Sequence, residues 1–237
     1  MKPGSMAFVQ PLSNRPRAGN AYLLRGFIGI FSTGIDHLGE EVNAGGVRAM
    51  VYQDDQWHDL AEQIVKVYAG KTDCEPLILV GHSYGADDSV RIARVLDDHG
   101  IKVDLLVTID PVTPPPVPKN VVRAVDFYRP NGIWDAFPFF RGVPLTADPG
   151  ARPPDNVNIR TDPRHLMYWY TDHFNIEKDE RIHRAIIQEI QAICPDRPVW
   201  IAEHMGHTGE AAAPSAGAEG VAGTGTIVSG NDRPIAR

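Results

Sequence analysis

The stretch Leu77-Ile78-Leu79-Val80-Gly81-His82-Ser83-Tyr84-Gly85 decides the fold. Its unbroken aliphatic start reads as a strand buried on both faces, as in a parallel sheet. The residues after Gly85 read as a helix to about Asp98. Ala86, Val90, Ala93 and Leu96 recur on one helical face, and Gly100 supplies the stop. Asp87 and Asp88 fall in the first turn, where the helix dipole favours negative charge. Strand, sharp turn and helix put the Ser83 hydroxyl at an exposed apex. Gly81 and Gly85 permit the turn, because a side chain at either position would meet its backbone. The competing reading is an ordinary Gly-rich strand-to-helix turn with an uninvolved serine.

Working outward, the same alternation continues. Asn20 to Arg25 reads as a short strand, and Ile35, Leu38 and Val42 mark a helix ending at Gly45-Gly46. Val47 to Tyr52 is the next strand. Asp54 or Asp55 is expected to cap a helix carrying Trp57, Leu60, Ala61, Ile64 and Tyr68, stopped by Gly70. Beyond the Ser83 helix, Val103 to Ile109, Val121 to Phe127 and Asn156 to Arg160 read as strands. The last helix runs from about Asp179 to Ile193, with Ile182, Ile186, Ile190 and Ile193 inward and His183 outward. Pro195 ends it. The pattern predicts an α/β fold, a mostly parallel sheet of about six strands with helices on both faces. The Pro-rich run 111–118 cannot be helical, and 132–154 is a Pro- and aromatic-rich excursion. Residues 1–19 read as a loose lead-in, 20–204 as one domain, and 205–237 as a disordered tail too poor in large apolar residues to order itself.

Composition narrows the function. A chain of 237 residues with formal charge −7 has no basic surface for nucleic acid. It has no basic run or long apolar run to anchor it in a membrane, so a cytoplasmic location is expected. Cys74 and Cys194 are far apart and form no metal-binding pair. Gly29 to Gly34 has the glycine spacing of a phosphate-binding loop, but Ile35-Asp36 follows where a lysine is needed. His204 and His207 lack further ligands. No metal or organic cofactor is implied.

A serine hydroxyl needs a general base, normally His, held by a carboxylate. With its strand–turn–helix around Gly-His-Ser-Tyr-Gly, the chain resembles the α/β-hydrolase superfamily over roughly residues 20–195. That resemblance implies a minimal fold without a large cap, and the order Ser, acid, His along the chain. It makes Ser83 the nucleophile. His173, in a polar loop before the last helix, is the expected base, with His165 as the alternative. His82 is then structural or substrate-facing. Asp110, ending a strand before Pro111, is the expected acid; Asp135 and Asp126 are the alternatives. The oxyanion donors implied are the backbone N–H groups of Tyr84 and Phe27, the latter in Arg25-Gly26-Phe27-Ile28-Gly29. Trp134, Phe137, Phe139 and Phe140 line an acyl pocket or pack beneath a loop. Tyr22, Tyr84 and Tyr128 are candidate polar handles. The expected activity is hydrolysis of a carboxylic ester or thioester of a small-molecule acyl substrate. Acyl transfer on the same residues, or a non-catalytic binding or sensor role, are the rivals.

Overall fold

The computed structural model describes residues 4, 6, 8–26, 33–137, 141–161 and 172–205, without the side chains of Trp134, Asp135 and Met205. Its elements are β1 (Asn20–Leu24), α1 (Thr33–Ala44), β2 (Arg48–Tyr52), α2 (Trp57–Tyr68), β3 (Leu77–His82) and α3 (Tyr84–Asp98). They continue through β4 (Leu105–Ile109), β5 (Ala124–Tyr128), β6 (Asp155–Asn158), α4 (Glu180–Ile193) and α5 (Arg197–Met205). The strands form one sheet in the order β2-β1-β3-β4-β5-β6. Every pairing is parallel. The chain order reverses between β1 and β3, and such a switch point opens a crevice at the carboxyl edge of the strands.

Side chains of the central strands are buried in alternate directions. Tyr22, Leu24, Leu77 and Leu79 pack with Leu60 and Ile64 of α2 and Val90, Ala93 and Leu96 of α3. Ala21, Leu23, Ile78 and Val80 pack on the other face with Ile35, Leu38 and Val42 of α1 and Ile182, Ile186 and Ile190 of α4. Two buried faces explain why β3 is aliphatic throughout. The lead-in also makes contacts: Met6 joins the α2/α3 core. Arg17 Nη1 donates to the Gln191 and Cys194 carbonyls, and Ala18 N–H to that of Pro195.

The structure corrects several expectations. Neither Asp54 nor Asp55 caps α2. A single 3-10 turn, Asp54–Gln56, comes first, and the Gln56 side chain accepts the Gln53 N–H at 3.0 Å. Val103 lies outside β4 and makes only an isolated bridge to Val121. Arg160 falls outside β6, because the Asn158 side chain accepts its N–H and closes a turn. Tyr22 cannot be a polar handle: it is fully buried, and its hydroxyl donates to the Gly4 carbonyl. His183 faces inward, 2% exposed, between α4 and α1. Beyond Pro195 the sequence pattern marks no helix, but Arg197–Met205 forms α5. Among the described residues no helix is long and apolar enough to cross a membrane.

Candidate active site

The carboxyl ends of β3 and β4 lie side by side, His82 pairing with Ile109. The ladder runs one residue further on each strand. Ser83 N–H donates to the Ile109 carbonyl at 2.9 Å, and Asp110 N–H to that of Phe127 at 2.8 Å. Here both chains turn sharply. Ser83 (φ 57°) and Asp110 (φ 51°) are the two non-glycine residues with positive φ among those described. Such a conformation costs on the order of 1–3 kcal/mol and persists only where the surroundings enforce it.

The glycines around Ser83 show how it is enforced. A Cβ on Gly81 would lie 2.2 Å from the Gly85 carbonyl oxygen. A Cβ on Gly85 would lie 2.2 Å from the carbonyl oxygen of Arg25, at the end of β1. The turn thus closes on itself and presses against the segment after β1. Arg25 is held in turn by Asp36 of α1, its Nε donating at 2.9 Å.

Three of the residues expected from the sequence come together here. Ser83 Oγ lies 2.9 Å from His173 Nε2. His173 Nδ1 lies 2.9 Å from Asp110 Oδ2. Their exposures are 6%, 4% and 0%. The carboxylate accepts from Nδ1–H, which leaves the Nε2 lone pair for the Ser83 hydroxyl. Burial pushes the Asp110 carboxyl up, while His173 and the Arg129 N–H pull it down. That N–H meets Asp110 Oδ1 at 2.7 Å, so both carboxylate oxygens are engaged.

His82 holds the other side of His173. Its Nε2 lies 3.0 Å from the His173 carbonyl, so Nε2 carries the proton. Burial, then the nearby His173, pushes His82 down to about 3, and it stays neutral at working pH. The loop carrying His173 is closed by Asp172, whose carbonyl accepts from Asn175 and Ile176 N–H and whose Oδ1 accepts from Phe174 N–H.

Two supports of Asp110 were invisible in the sequence. Asp87, fully buried on α3, accepts from Val112 N–H at 2.9 Å and Thr113 N–H at 2.8 Å. It ties the helix after Ser83 to the loop after Asp110. From the other side Arg141 Nε donates to the Val112 carbonyl, and Val143 N–H to that of Pro111. Between them Gly142 passes so close that a Cβ there would lie 1.8 Å from Asp110 Oδ1. Only the tertiary fold brings residues 87, 110 and 142 together, so no local motif announces them.

The alternatives for the acid are placed elsewhere or not described. Asp126 is fully buried but accepts from Thr108 Oγ1 at 2.7 Å and Leu145 N–H at 3.3 Å. Burial pushes its carboxyl well up. The side chain of Asp135 lies outside the described residues, as do His165, Phe27, the Trp134 side chain, Phe139, Phe140, His207 and the expected tail. Tyr84 is the first residue of α3. Phe174 beside His173, with Ile133 and Phe137 after β5, are large apolar side chains left 43%, 85% and 54% exposed.

No protein-family model matches the chain, and no curated protein matches it in sequence. Several solved structures are similar. One is the NocB thioesterase domain in covalent complex with a fluorophosphonate nocardicin G analogue. It is 14% identical, with 73% of this chain and 95% of that chain covered and a TM-score of 0.46. Another is the esterase domain of a Rhodothermus marinus protein, 15% identical over 76% and 90% of the two chains, TM-score 0.43. A third, Est1E from Butyrivibrio proteoclasticus, is 22% identical over 44% of each chain, TM-score 0.33. The fold rests on this chain's own geometry, an α/β architecture on one parallel six-stranded sheet.

Proposed function

We propose that the protein is a serine hydrolase of the α/β-hydrolase class, cleaving a carboxylic ester or thioester through an acyl-enzyme. The observation that carries this reading is the continuous chain Ser83 Oγ–His173 Nε2 and His173 Nδ1–Asp110 Oδ2, at 2.9 Å each, at the carboxyl edge of a parallel sheet.

In this mechanism Ser83 Oγ attacks the acyl carbonyl while His173 Nε2 takes its proton. Asp110 holds the tautomer that makes this possible and stabilises the imidazolium that forms. The oxyanion is met by the Tyr84 N–H at the start of α3, where the helix dipole favours negative charge. The Phe27 N–H is the proposed second donor. Gly85 packs against Arg25, two residues before Phe27, so this loop starts beside the nucleophile. His173 then protonates the leaving alkoxide or thiolate. Water then attacks the acyl carbon as His173 Nε2 takes its proton; the bond to Ser83 Oγ breaks, His173 returns the proton to that oxygen, and the acid leaves. Phe174 next to the base favours an apolar acyl group.

The test is labelling by a fluorophosphonate probe, followed by hydrolysis of a panel of p-nitrophenyl esters and acyl thioesters. The wild type labels once per chain. Ser83→Ala abolishes labelling, and His173→Ala and Asp110→Asn slow it strongly. A folded wild type that does not label would sink the reading.

A further inference from the structure

A second cluster of chemically capable side chains lies between α1 and α4. His37 and Glu41 stand four residues apart on α1 and share a face. His183 reaches them from α4. Each of the three offers a ligand atom, and these atoms lie within 4.8 Å of one another. His183 Nδ1 is 2.6 Å from Glu41 Oε2, and His37 Nδ1 is 3.9 Å from Glu41 Oε1.

The second nitrogen of His183 makes this arrangement directional. Its Nε2 lies 2.7 Å from the Glu177 carbonyl, which can only accept. The proton of a neutral ring is therefore on Nε2, and the Nδ1 lone pair faces a carboxylate oxygen. At that distance the two atoms share a proton, which a metal ion could replace once the pair opens to ligand spacing. A backbone carbonyl that fixes the far nitrogen is also how histidine ligands are oriented toward metals. A proton bridge uses His183 and Glu41 alone. His37 then makes only a long i,i+4 contact to Glu41 and an edge-on ring contact to His183 at 5.8 Å.

We propose that His37, Glu41 and His183 bind a divalent transition-metal ion of the zinc class, which clips α1 to α4. Two imidazoles and one carboxylate suit zinc, with water as the fourth ligand. Bonds of about 2.1 Å put tetrahedral ligand atoms about 3.4 Å apart. The His183–Glu41 pair opens slightly to reach that spacing, and the others close in. The buried His183, with a side-chain exposure of 3%, is the preset ligand. His37, 66% exposed, is the one free to swing. The clip joins the helix that comes next in the chain after β1 to the helix that follows the His173 loop. It is independent of the chemistry proposed for Ser83.

The experiment uses the full, tag-free chain, stripped with a chelator and titrated calorimetrically with zinc chloride. One ion binds per chain, and the melting temperature rises with zinc. His37→Ala, at an exposed position, folds as the wild type does but binds zinc at least tenfold more weakly and loses the melting shift. His204→Ala leaves both unchanged. Cobalt substitution gives visible bands without a thiolate charge-transfer band, and His37→Ala removes them. Absence of one-to-one zinc binding in the wild type would overturn the proposal. So would binding that survives in His37→Ala, is lost in His204→Ala, or shows a thiolate band.

Discussion

Gly142→Ala tests the support of Asp110 without replacing any of the three residues proposed for catalysis. The new Cβ would lie 1.8 Å from Asp110 Oδ1, 2.5 Å from its Cγ and 2.9 Å from the Arg129 nitrogen. Ordinary contact needs about 3.5 Å, so the carboxylate or the strap of residues 141–143 must move by about 1.7 Å. The strap is pinned by Val143 N–H on the Pro111 carbonyl at 3.0 Å and by Arg141 on that of Val112 at 2.7 Å. The carboxylate is the softer partner. Its displacement breaks the 2.7 Å bond from Arg129 N–H and the 2.9 Å bond to His173. A misplacement of about 1 Å costs about 10²-fold, and loss of the orienting acid costs about 10⁴-fold. Gly142→Ala is therefore expected to slow fluorophosphonate labelling and ester hydrolysis by about 10²–10⁴-fold. The weakened bond to a buried carboxylate lowers stability by about 1.5–3 kcal/mol, read from urea unfolding. A folded Gly142→Ala protein that labels within about threefold of wild type would show that Asp110 does not depend on this contact, and the reasoning would fail.

Three further outcomes are expected. Asp126→Asn should leave labelling within a few-fold of wild type, because that carboxyl meets Thr108 Oγ1 and the Leu145 N–H rather than His173, whereas Asp110→Asn should not; equal losses would move the acid. His82→Ala releases the His173 carbonyl and should lower kcat/KM by about tenfold or more, with partial recovery in His82→Gln, whose amide keeps a donor; full activity in His82→Ala would remove it as a positioning residue. Asp88, pushed up from 3.8 to about 6 by burial, binds its proton more tightly folded than unfolded. Its contribution is thus most favourable below 3.8 and is lost as pH rises to about 6. The swing is at most about 3 kcal/mol and about 1–2 kcal/mol once screening is allowed for. Urea midpoints measured across that window should fall less steeply in Asp88→Asn; an unchanged slope would refute this.

The sequence by itself determined the layers of the fold and the turn at Ser83. Those follow from local physics. A strand buried on both faces is aliphatic throughout, as in Leu77–Val80, and a helix on a sheet repeats its apolar face, as at Ile182, Ile186 and Ile190. The glycines at 81 and 85 mark a close approach that occurs within a few residues, so they too were legible. Strand ends were read less well, because Asp104 and Asn158 use their side chains on neighbouring backbone where the pattern alone continues the strand. Which groups Asp110 and Asp126 meet is visible only in the tertiary structure. Asp110 directly follows β4 and precedes Pro111, while Asp126 is the middle residue of β5, but this local difference does not say what either side chain meets. What separates them is which way each side chain points and which distant groups meet it: His173 and Arg129 N–H for one, Thr108 and Leu145 N–H for the other. His183 makes the same point. Its place on the helix pattern read as outward, but α1 packs over that side and brings Glu41 to it from 142 residues away. Contacts across such separations leave no periodicity in the chain, since they depend on how whole elements stack rather than on any one element's own repeat.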